Sequence, residues 1–179
     1  MKQQRTDVLG VGFNDLTMEQ AVDCAMEQMQ RHAAARVVTP NPEIVMLCRK
    51  NPAAAAAVNS AELVLPDGVG VLYGARILGR PIANRLPGID FASALMARMA
   101  QQHMRVFLLG AKPGVAEAAA ARLAAQYPGL VIAGVNDGYF KEDAPVIGKI
   151  NAARPDFLMV CLGAPKQELW MQQYAAQLD

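Results

Sequence analysis

The residue best suited to chemistry is Asp67, which follows a short apolar run. It stands in the segment Leu65-Pro66-Asp67-Gly68-Val69-Gly70, where strand-forming residues give way to a helix. A carboxylate at the mouth of a crevice could serve as a general base, and Gly68 would let a ligand approach the backbone closely. Asp67 could instead cap the helix by accepting a backbone N–H of its first turn. Position alone leaves both roles open.

A second polar turn, Thr39-Pro40-Asn41-Pro42-Glu43, also links a strand to a helix. Its two prolines stiffen the loop and restrict the directions in which its polar side chains point. Asn41 followed by proline is typical of a helix N-cap, so capping is the stronger interpretation of this residue. Thr39 is less easily explained by capping and is a candidate for contact with a ligand.

Cationic side chains provide candidate sites for phosphate groups. Arg76, Arg80 and Arg85 lie close together in a predicted loop, and guanidinium groups bind phosphate in a bidentate manner. A solvated basic face is the ordinary alternative. Lys112 lies in the turn Gly110-Ala111-Lys112-Pro113-Gly114, where a strand end, a lysine and a helix N-terminus together could bind an anion.

Two further turns carry candidate residues. Tyr139, in Asp137-Gly138-Tyr139-Phe140, could stack on a planar base or could simply fill the core. The turn Gly163-Ala164-Pro165-Lys166-Gln167-Glu168 begins a helix, and at least one of its last three side chains should face the crevice. Lys166 is unfavourably placed at the positive end of the helix dipole, and residues that break a local rule are candidates for function.

Alternating strand and helix patterns must position these turns. Short apolar runs predict strands, and the segments between them have helical spacing and caps such as Thr17 with Gln20. The alternation predicts an α/β fold: a mostly parallel, Rossmann-like sheet with helices on both faces, in three layers. Ligands of such sheets bind beyond the carboxyl ends of the strands. The predicted strands cover residues 7–11, 36–39, 62–65, 105–109, 130–135 and 157–162.

Composition limits the class of protein. The 179 residues are 53% hydrophobic and 18% charged, which fits one packed domain over residues 1–179 and excludes intrinsic disorder. With 17 Lys and Arg against 16 Asp and Glu, the net charge of +1 provides no field that would hold nucleic acid. Three widely spaced cysteines and two histidines favour buried thiols in a reducing, cytoplasmic compartment over disulfides or a metal centre.

Taken together, these turns resemble the WecG/TagA/CpsF glycosyltransferases, also called glycosyltransferase family 26. Six motifs carry the resemblance and occur in order over nearly the whole chain. They are Thr-Pro-Asn-Pro-Glu at 39–43, Pro-Asp-Gly-Val-Gly at 66–70, Gly-Ile-Asp at 88–90, Leu-Gly-Ala-Lys-Pro-Gly at 109–114, Gly-Tyr-Phe at 138–140 and Gly-Ala-Pro-Lys-Gln-Glu at 163–168.

The resemblance implies transfer of an N-acetylmannosamine-type sugar from a UDP donor to a lipid that carries diphospho-N-acetylglucosamine. The family makes β-linked disaccharide lipids for wall teichoic acid or related surface polysaccharides, with inversion and without a tightly bound metal or other cofactor. The resemblance also assigns residues by motif. Asp67 corresponds to the general base, Thr39 and Gln167 to polar active-site residues, and Asn41 and Arg85 to helpers around the sugar and the phosphates.

The remaining site residues are our own inference from the motifs. We expect Gly68, Gly110, Lys112 and Lys166 to contact the substrate, and Tyr139 to lie beside the uracil.

Family members usually continue for some tens of residues past the Lys-Gln-Glu helix. The resemblance therefore implies that this chain is truncated at its C-terminus and lacks a basic tail. In the family that tail docks on the inner face of the plasma membrane and supplies an active-site arginine. Two consequences are expected: catalysis by these residues alone is in question, and an uncovered apolar face could favour homo-oligomers.

Two alternatives to the active transferase stay open. The chain could bind a UDP-sugar without turnover. It could also be a nucleotide-dependent oxidoreductase or epimerase, although the first strand turn lacks the glycine fingerprint that such enzymes use.

Overall fold

The computed structural model of the protein describes residues 5–31 and 34–178. Strands and helices alternate along most of the chain, as the sequence predicts. The strands are β1 (Arg5–Val8), β2 (Val11–Asn14), β3 (Val37–Val38), β4 (Leu63–Val64), β5 (Arg105–Gly110), β6 (Val131–Asn136) and β7 (Phe157–Cys161). The helices are α1 (Met18–Gln30), α2 (Pro42–Lys50), α3 (Pro52–Asn59), α4 (Val69–Ile77), α5 (Gly88–Gln101), α6 (Val115–Gln126), α7 (Asp143–Ala153) and α8 (Lys166–Tyr174), and a 3-10 turn (Ala175–Gln177) follows α8.

Parallel strands form the centre of the fold. β3 pairs with β4, and β5 lies between β6 and β7, with every one of these pairings parallel. Crossover helices connect the strands, so the α/β class and the parallel, Rossmann-like sheet are confirmed. The described strands form two separately hydrogen-bonded parallel groups, one of β3 and β4 and one of β5, β6 and β7.

The side chains of β5 show that helices cover both faces of this sheet. Val106 and Leu108 pack into a core built mainly from α1, α5 and α6. Phe107 and Leu109, which point to the opposite face, pack with α7 and with Trp170 of α8. The three-layer arrangement follows from this alternation.

The first part of the chain differs from the prediction of one strand over residues 7–11. It forms an antiparallel hairpin, in which Val8 pairs with Val11 across a turn at Leu9 and Gly10. Both turn residues have positive φ, 55° for Leu9 and 90° for Gly10, as the tight turns that match strand twist require. The prediction failed because Leu9 continues the apolar alternation, and that alternation hides the turn.

Helix starts follow the predicted caps closely. Thr17 and Gln20 form a capping box at α1, and the side chains of Asn41 and Asn51 cap α2 and α3. Of the described turns that follow β3, β4, β5, β6 and β7, only the one after β3 leads into a helix with a side-chain cap, since α4, α6, α7 and α8 have none. The predicted site residues lie in one of these turns or at the start of the next helix, except Gly110, the last residue of β5, and Arg85, which lies between α4 and α5.

Candidate active site

The carboxylate of Asp67 is held between the end of β4 and the start of α5. Its Oδ2 accepts a hydrogen bond from the backbone N–H of Gly88, the first residue of α5, at 3.1 Å. The backbone N–H of Asp67 donates to the carbonyl of Pro40 at 3.2 Å, and that of Leu86 donates to Pro66 at 2.8 Å. These bonds fasten the turns after β3 and β4 to the start of α5.

Asp67 does not cap the helix that follows it. The N-cap of α4 is Gly68, and no side chain forms a cap there. The carboxylate instead lies at the positive end of α5, which stabilises its charge. Of the two roles that the sequence left open, capping of α4 is therefore wrong, and Asp67 remains half-buried in a position where a ligand could reach it.

Thr39 lies directly against the same helix start. A Cβ built on Gly88 would stand 2.7 Å from the Oγ1 of Thr39, so the hydroxyl occupies the space that a side chain would need. The structure thus brings Thr39 and Asp67, from two different strand ends, to one glycine. Sequence reasoning included Gly88 in a motif but gave it no role.

Asn41 has the capping role that the sequence favoured. Its Oδ1 accepts the backbone N–H of Ile44 at 2.9 Å. Among the described residues, no hydrogen bond from the Nδ2 of Asn41 is found, so the amide group could still donate to a ligand. The adjoining Pro42 packs against α4, because a Cβ on Gly70 would come within 2.7 Å of its ring.

The sequence predicted that Arg76, Arg80 and Arg85 lie together in one loop, and this prediction is wrong. Arg76 lies in the last turn of α4, and Arg80 forms an exposed ion pair with Asp7 at 3.8 Å. The prediction failed because α4 continues to Ile77, so Arg76 belongs to the helix and not to the loop that follows it. Arg85 is exposed and stands one residue before Leu86, whose backbone is bonded to Pro66. Arg85 is therefore anchored next to the Asp67 turn.

The turns after β5, β6 and β7 form a second cluster. The N–H of Ala111 donates to the carbonyl of Cys161 at 3.0 Å, and that of Gly138 donates to Ala111 at 2.9 Å. Gly110 has a φ of 129°, and a Cβ there would lie 2.2 Å from the Cys161 carbonyl oxygen. The close approach of β5 and β7 therefore explains the glycine at position 110 without any contact with a substrate.

Lys166 and Tyr139 stand on the rim of this second cluster. The Lys166 ammonium lies 3.4 Å from the Gly138 carbonyl and 5.2 Å from the centre of the Phe140 ring. Tyr139 is 67% exposed, which excludes the core-filling alternative. Lys112 is exposed just before α6, whose first turn has no side-chain cap. The cluster therefore presents two cations, an exposed aromatic ring and an uncapped helix N-terminus.

Gln167 is held by its own turn and by its neighbour. Its Oε1 accepts the N–H of Gly163 at 3.1 Å, and its Nε2 donates to the Oε1 of Glu168 at 3.0 Å. Glu168 is only 4% exposed, and its Oε2 has no hydrogen-bond partner among the described residues. Burial raises the pKa of the Glu168 carboxyl, although its hydrogen bonds oppose this. The sequence did not reveal this burial, because a Lys-Gln-Glu run in a first turn is normally solvated.

One cluster surrounds Asp67 and Thr39, and the other surrounds Gln167 and Lys166. Among the described residues, they are connected by packing and not by hydrogen bonds or ion pairs. In the described part of the chain, no hydrogen bond or ion pair joins Thr39 or Asp67 to Gln167 or Lys166. Leu65, beside Asp67, shares a core with Leu108 of β5. Cys48 of α2 lies close enough to Glu168 for the carboxylate to raise the pKa of its thiol, after the larger effect of burial.

Two depressions lie outside these clusters. A cavity of about 250 Å³ lies between β3 and β7, and none of the predicted site residues lines it. A groove of about 360 Å³ follows α4 and is lined by Val69, Leu72, Tyr73, Arg76, Pro81 and Ile82. Ile77, the last residue of α4, is 85% exposed. An apolar surface therefore begins two residues after Asp67.

The described residues contain no group of three or more His, Cys, Asp or Glu side chains that could hold a metal ion. Within the same residues, no helix has the length and apolarity to cross a membrane. Of the cysteines expected to be buried, Cys48 is buried and Cys24 half-buried, but Cys161 is exposed at the end of β7.

Comparison with known proteins decides the family. The model of the glycosyl transferase WecG/TagA/CpsF family matches residues 6–179. The chain belongs to this family. A protein of Bacillus spizizenii named N-acetylglucosaminyldiphosphoundecaprenol N-acetyl-beta-D-mannosaminyltransferase is 37% identical over 146 residues, 82% of this chain and 57% of the relative. A Staphylococcus aureus protein of the same name is 34% identical over 178 residues, 98% of this chain and 70% of the relative.

The chain thus spans a little over half of the Bacillus relative and about two thirds of the Staphylococcus one. Family membership agrees with the six motifs, which place Asp67, Thr39 and Gln167 at strand ends. It gives no individual roles to these residues or to Asn41, Arg85, Gly68, Gly110, Lys112, Tyr139 and Lys166, which stay predictions.

Proposed function

We propose that this chain carries the catalytic site of an inverting glycosyltransferase. It moves an N-acetylmannosamine-type sugar from a UDP donor to a diphospho-N-acetylglucosamine carried on a polyprenyl lipid. The observation that carries the proposal is the placement of Asp67, half-buried at a helix N-terminus with the Thr39 hydroxyl beside the same glycine. The name that the two relatives share supports this choice of sugar and acceptor.

The reaction needs one base and a stabilised leaving group. The acceptor hydroxyl attacks the anomeric carbon as the bond from that carbon to the UDP oxygen breaks, and Asp67 takes the hydroxyl proton. Attack from the face opposite UDP inverts the anomeric centre and gives a β-linked product. Thr39 orients the acceptor or the sugar beside Asp67. As the family resemblance implies, we expect no resident metal or cofactor, so that cationic side chains and helix N-termini would have to stabilise the leaving diphosphate.

Cationic and helix-terminal groups would stabilise the departing diphosphate. Arg85 is exposed next to the Asp67 turn, and Lys112 precedes the uncapped N-terminus of α6. Both can donate to phosphate oxygens, as can the Lys166 ammonium. Gln167 and Asn41 offer amide N–H groups to the sugar, and Gly68 allows close approach of the donor.

Tyr139 and Gly110 belong to the donor side of this proposal. The exposed Tyr139 ring can stack on the uracil. Gly110 keeps the turn after β5 close to β7, and we propose that this places the exposed Lys112 side chain for the phosphates.

The groove along α4 is suited to the lipid side of the acceptor. Tyr73 and Ile77 are 64% and 85% exposed, and Arg76 stands between them on the same helix. Apolar side chains with an arginine are typical of a surface that meets an anionic bilayer. We therefore propose a peripheral position on the inner face of the plasma membrane. Self-association through the same face is the alternative use of this surface.

The direct test is a transfer assay with UDP-N-acetylmannosamine and a short-chain lipid diphospho-N-acetylglucosamine. The expected product is a β-linked disaccharide lipid, with release of UDP. Calorimetric titration with UDP, and with NAD as control, accompanies it. Binding of NAD and not UDP would contradict the proposal and favour the oxidoreductase alternative.

A second candidate is a UDP-sugar-binding chain without turnover. The observation that favours it is the separation of the two clusters, because no hydrogen bond or ion pair joins Lys166 or Gln167 to Asp67 in the described part of the chain. Saturable UDP binding without any transfer would support this candidate over the active enzyme.

A further inference from the structure

The side-chain amide of Gln167 is fixed at both ends. Its Oε1 accepts the Gly163 N–H at 3.1 Å, and one hydrogen of its Nε2 is directed to the Glu168 Oε1 at 3.0 Å. An amide with both its oxygen and its nitrogen engaged has one orientation, because a flip would set donor against donor and acceptor against acceptor. The second Nε2 hydrogen is then presented in a defined direction.

Glu168 forms the buried side of this arrangement. The residue is 4% exposed although it lies in the first turn of α8, where a glutamate is usually solvated. Removing a carboxyl group from water is costly, and here only one of its two oxygens has a partner among the described residues. No cation pairs with it in that part of the chain. An apolar residue of similar size would stabilise the folded chain at least as well as this buried carboxyl does.

We propose that Glu168 is a positioning residue, which holds the Gln167 amide in the one orientation that presents its remaining N–H to the substrate. The inference rests on the proposed function, in which Gln167 contacts the sugar donor or the acceptor. Glu168 itself does not reach the substrate, since its side chain is buried beneath α8 and near Cys48. Its action therefore depends on the oxygen that accepts the Gln167 hydrogen bond.

Two substitutions separate this role from a merely structural one. Glu168→Gln keeps an oxygen that can accept the hydrogen bond, whereas Glu168→Met keeps the approximate volume and removes the acceptor. We expect Glu168→Met to lower kcat/KM about tenfold, the effect of one hydrogen bond. Glu168→Gln should restore activity to within about twofold of the original. In a Gln167→Ala background, Glu168→Met should cause no further loss, because the two residues act as one unit.

A spectroscopic measurement tests the geometry without any catalytic activity. In protein labelled with 15N glutamine, Gln167→Ala identifies the side-chain amide signals of Gln167. The original chain and Glu168→Gln should show one Nε2 proton shifted away from its free-amide position and exchanging slowly with solvent, and Glu168→Met should show both protons at free-amide positions with rapid exchange. Free-amide shifts and rapid exchange for the Gln167 protons of the original chain would overturn the proposal, and this result does not depend on any Glu168 variant folding.

The kinetic outcomes are equally decisive. Additive losses in the double variant, or equal losses in both Glu168 variants, would overturn the positioning role. If Gln167→Ala leaves transfer unchanged, the proposed role of Gln167 is wrong. The amide spectra then still decide whether Glu168 fixes its neighbour.

Discussion

The backbone N–H of Gly88 donates to the Asp67 carboxylate at 3.1 Å, and the two residues are 21 positions apart in the chain. This bond places an acidic group from the end of β4 at the start of α5. The helix N-terminus stabilises the carboxylate charge, and the bond fixes the direction of one oxygen. A base that must meet an acceptor hydroxyl is thereby held in place before the substrate arrives.

Replacing Gly88 with alanine should disrupt this arrangement. The new Cβ would lie 2.7 Å from the Thr39 Oγ1, so Thr39 or the start of α5 must move. We expect a cost of about 1–3 kcal/mol in the free energy of unfolding, as for other overpacked sites. Transfer should fall more than tenfold, on the order of what misplacement near a reacting centre causes.

Gly148→Ala is the matched control for this change. A Cβ at Gly148 meets nothing within 4 Å, and the residue lies inside α7. Alanine favours helix over glycine by about 1 kcal/mol, so this variant should be as stable as the original or more so. Equal activity of the Gly88→Ala and Gly148→Ala variants would show that the contact between Thr39 and Gly88 does not matter.

The pH dependence of stability should reveal the buried Glu168. Burial raises the pKa of this carboxyl in the folded chain above its ordinary value of 4.5. Between these two pKa values the folded state binds more protons than the unfolded state, so stability falls as pH rises through this interval. Glu168→Gln removes the titrating group and should remove that part of the decline.

Thermal unfolding from pH 4 to pH 8 measures this effect. Relative to the original chain, the Glu168→Gln variant should gain stability as pH rises above about 4.5, the ordinary value for glutamate. Asp90→Asn, an exposed carboxylate in the first turn of α5, serves as control. A constant difference between Glu168→Gln and the original chain at every pH would contradict a raised pKa.

The two loop arginines should differ in their effect on donor binding. Arg85 is exposed next to the Asp67 turn, whereas Arg80 is exposed but paired with Asp7 at 3.8 Å. Arg85→Gln should weaken UDP binding by calorimetry about tenfold, as expected for one charge-assisted contact to phosphate. Arg80→Gln should leave the UDP affinity within about twofold, because the Arg80 guanidinium is paired with Asp7. Loss of this exposed ion pair should also change the stability of the fold little. The reverse order would place the diphosphate elsewhere.

The exposed face of α4 should govern association with lipid. Replacing both Tyr73 and Ile77 with serine removes apolar groups that are 64% and 85% exposed. Binding to vesicles with anionic phospholipid should fall several-fold in sedimentation, roughly in proportion to the apolar area removed. Val115→Ser, at 49% exposure on α6, is the control. Unchanged vesicle binding together with a smaller oligomer would identify this face as a contact between copies.

Local sequence patterns predicted the local structure well. The Thr17 box and the Asn41 cap are set by residues three positions apart, so the sequence contains all that they need. The alternation of strands and helices, and the positions of Thr39, Asp67 and Gln167 at strand ends, follow from the same kind of pattern.

Contacts between segments that are distant in the chain could not be predicted from local sequence patterns. Asp67 offered two roles in the sequence, and only the approach of α5 shows that its partner is Gly88. Glu168 lies in a Lys-Gln-Glu run of the kind that is normally solvated in a first helical turn, yet the packing of α8 buries it. The turn at Leu9 was missed for a third reason, because its apolar side chain continued the strand pattern while its backbone φ is positive.

The role of Asp67 is tested most directly by a single-turnover transfer assay on Asp67→Asn, with Asp23→Asn, an exposed carboxylate on α1, as control and UDP titration alongside. Asparagine can still accept the Gly88 hydrogen bond through its oxygen but cannot take a proton from the acceptor. We predict that Asp67→Asn binds UDP like the original chain and transfers sugar at least about a hundredfold more slowly, the usual contribution of a general base. Transfer by Asp67→Asn within a few-fold of the original chain would contradict Asp67 as the base.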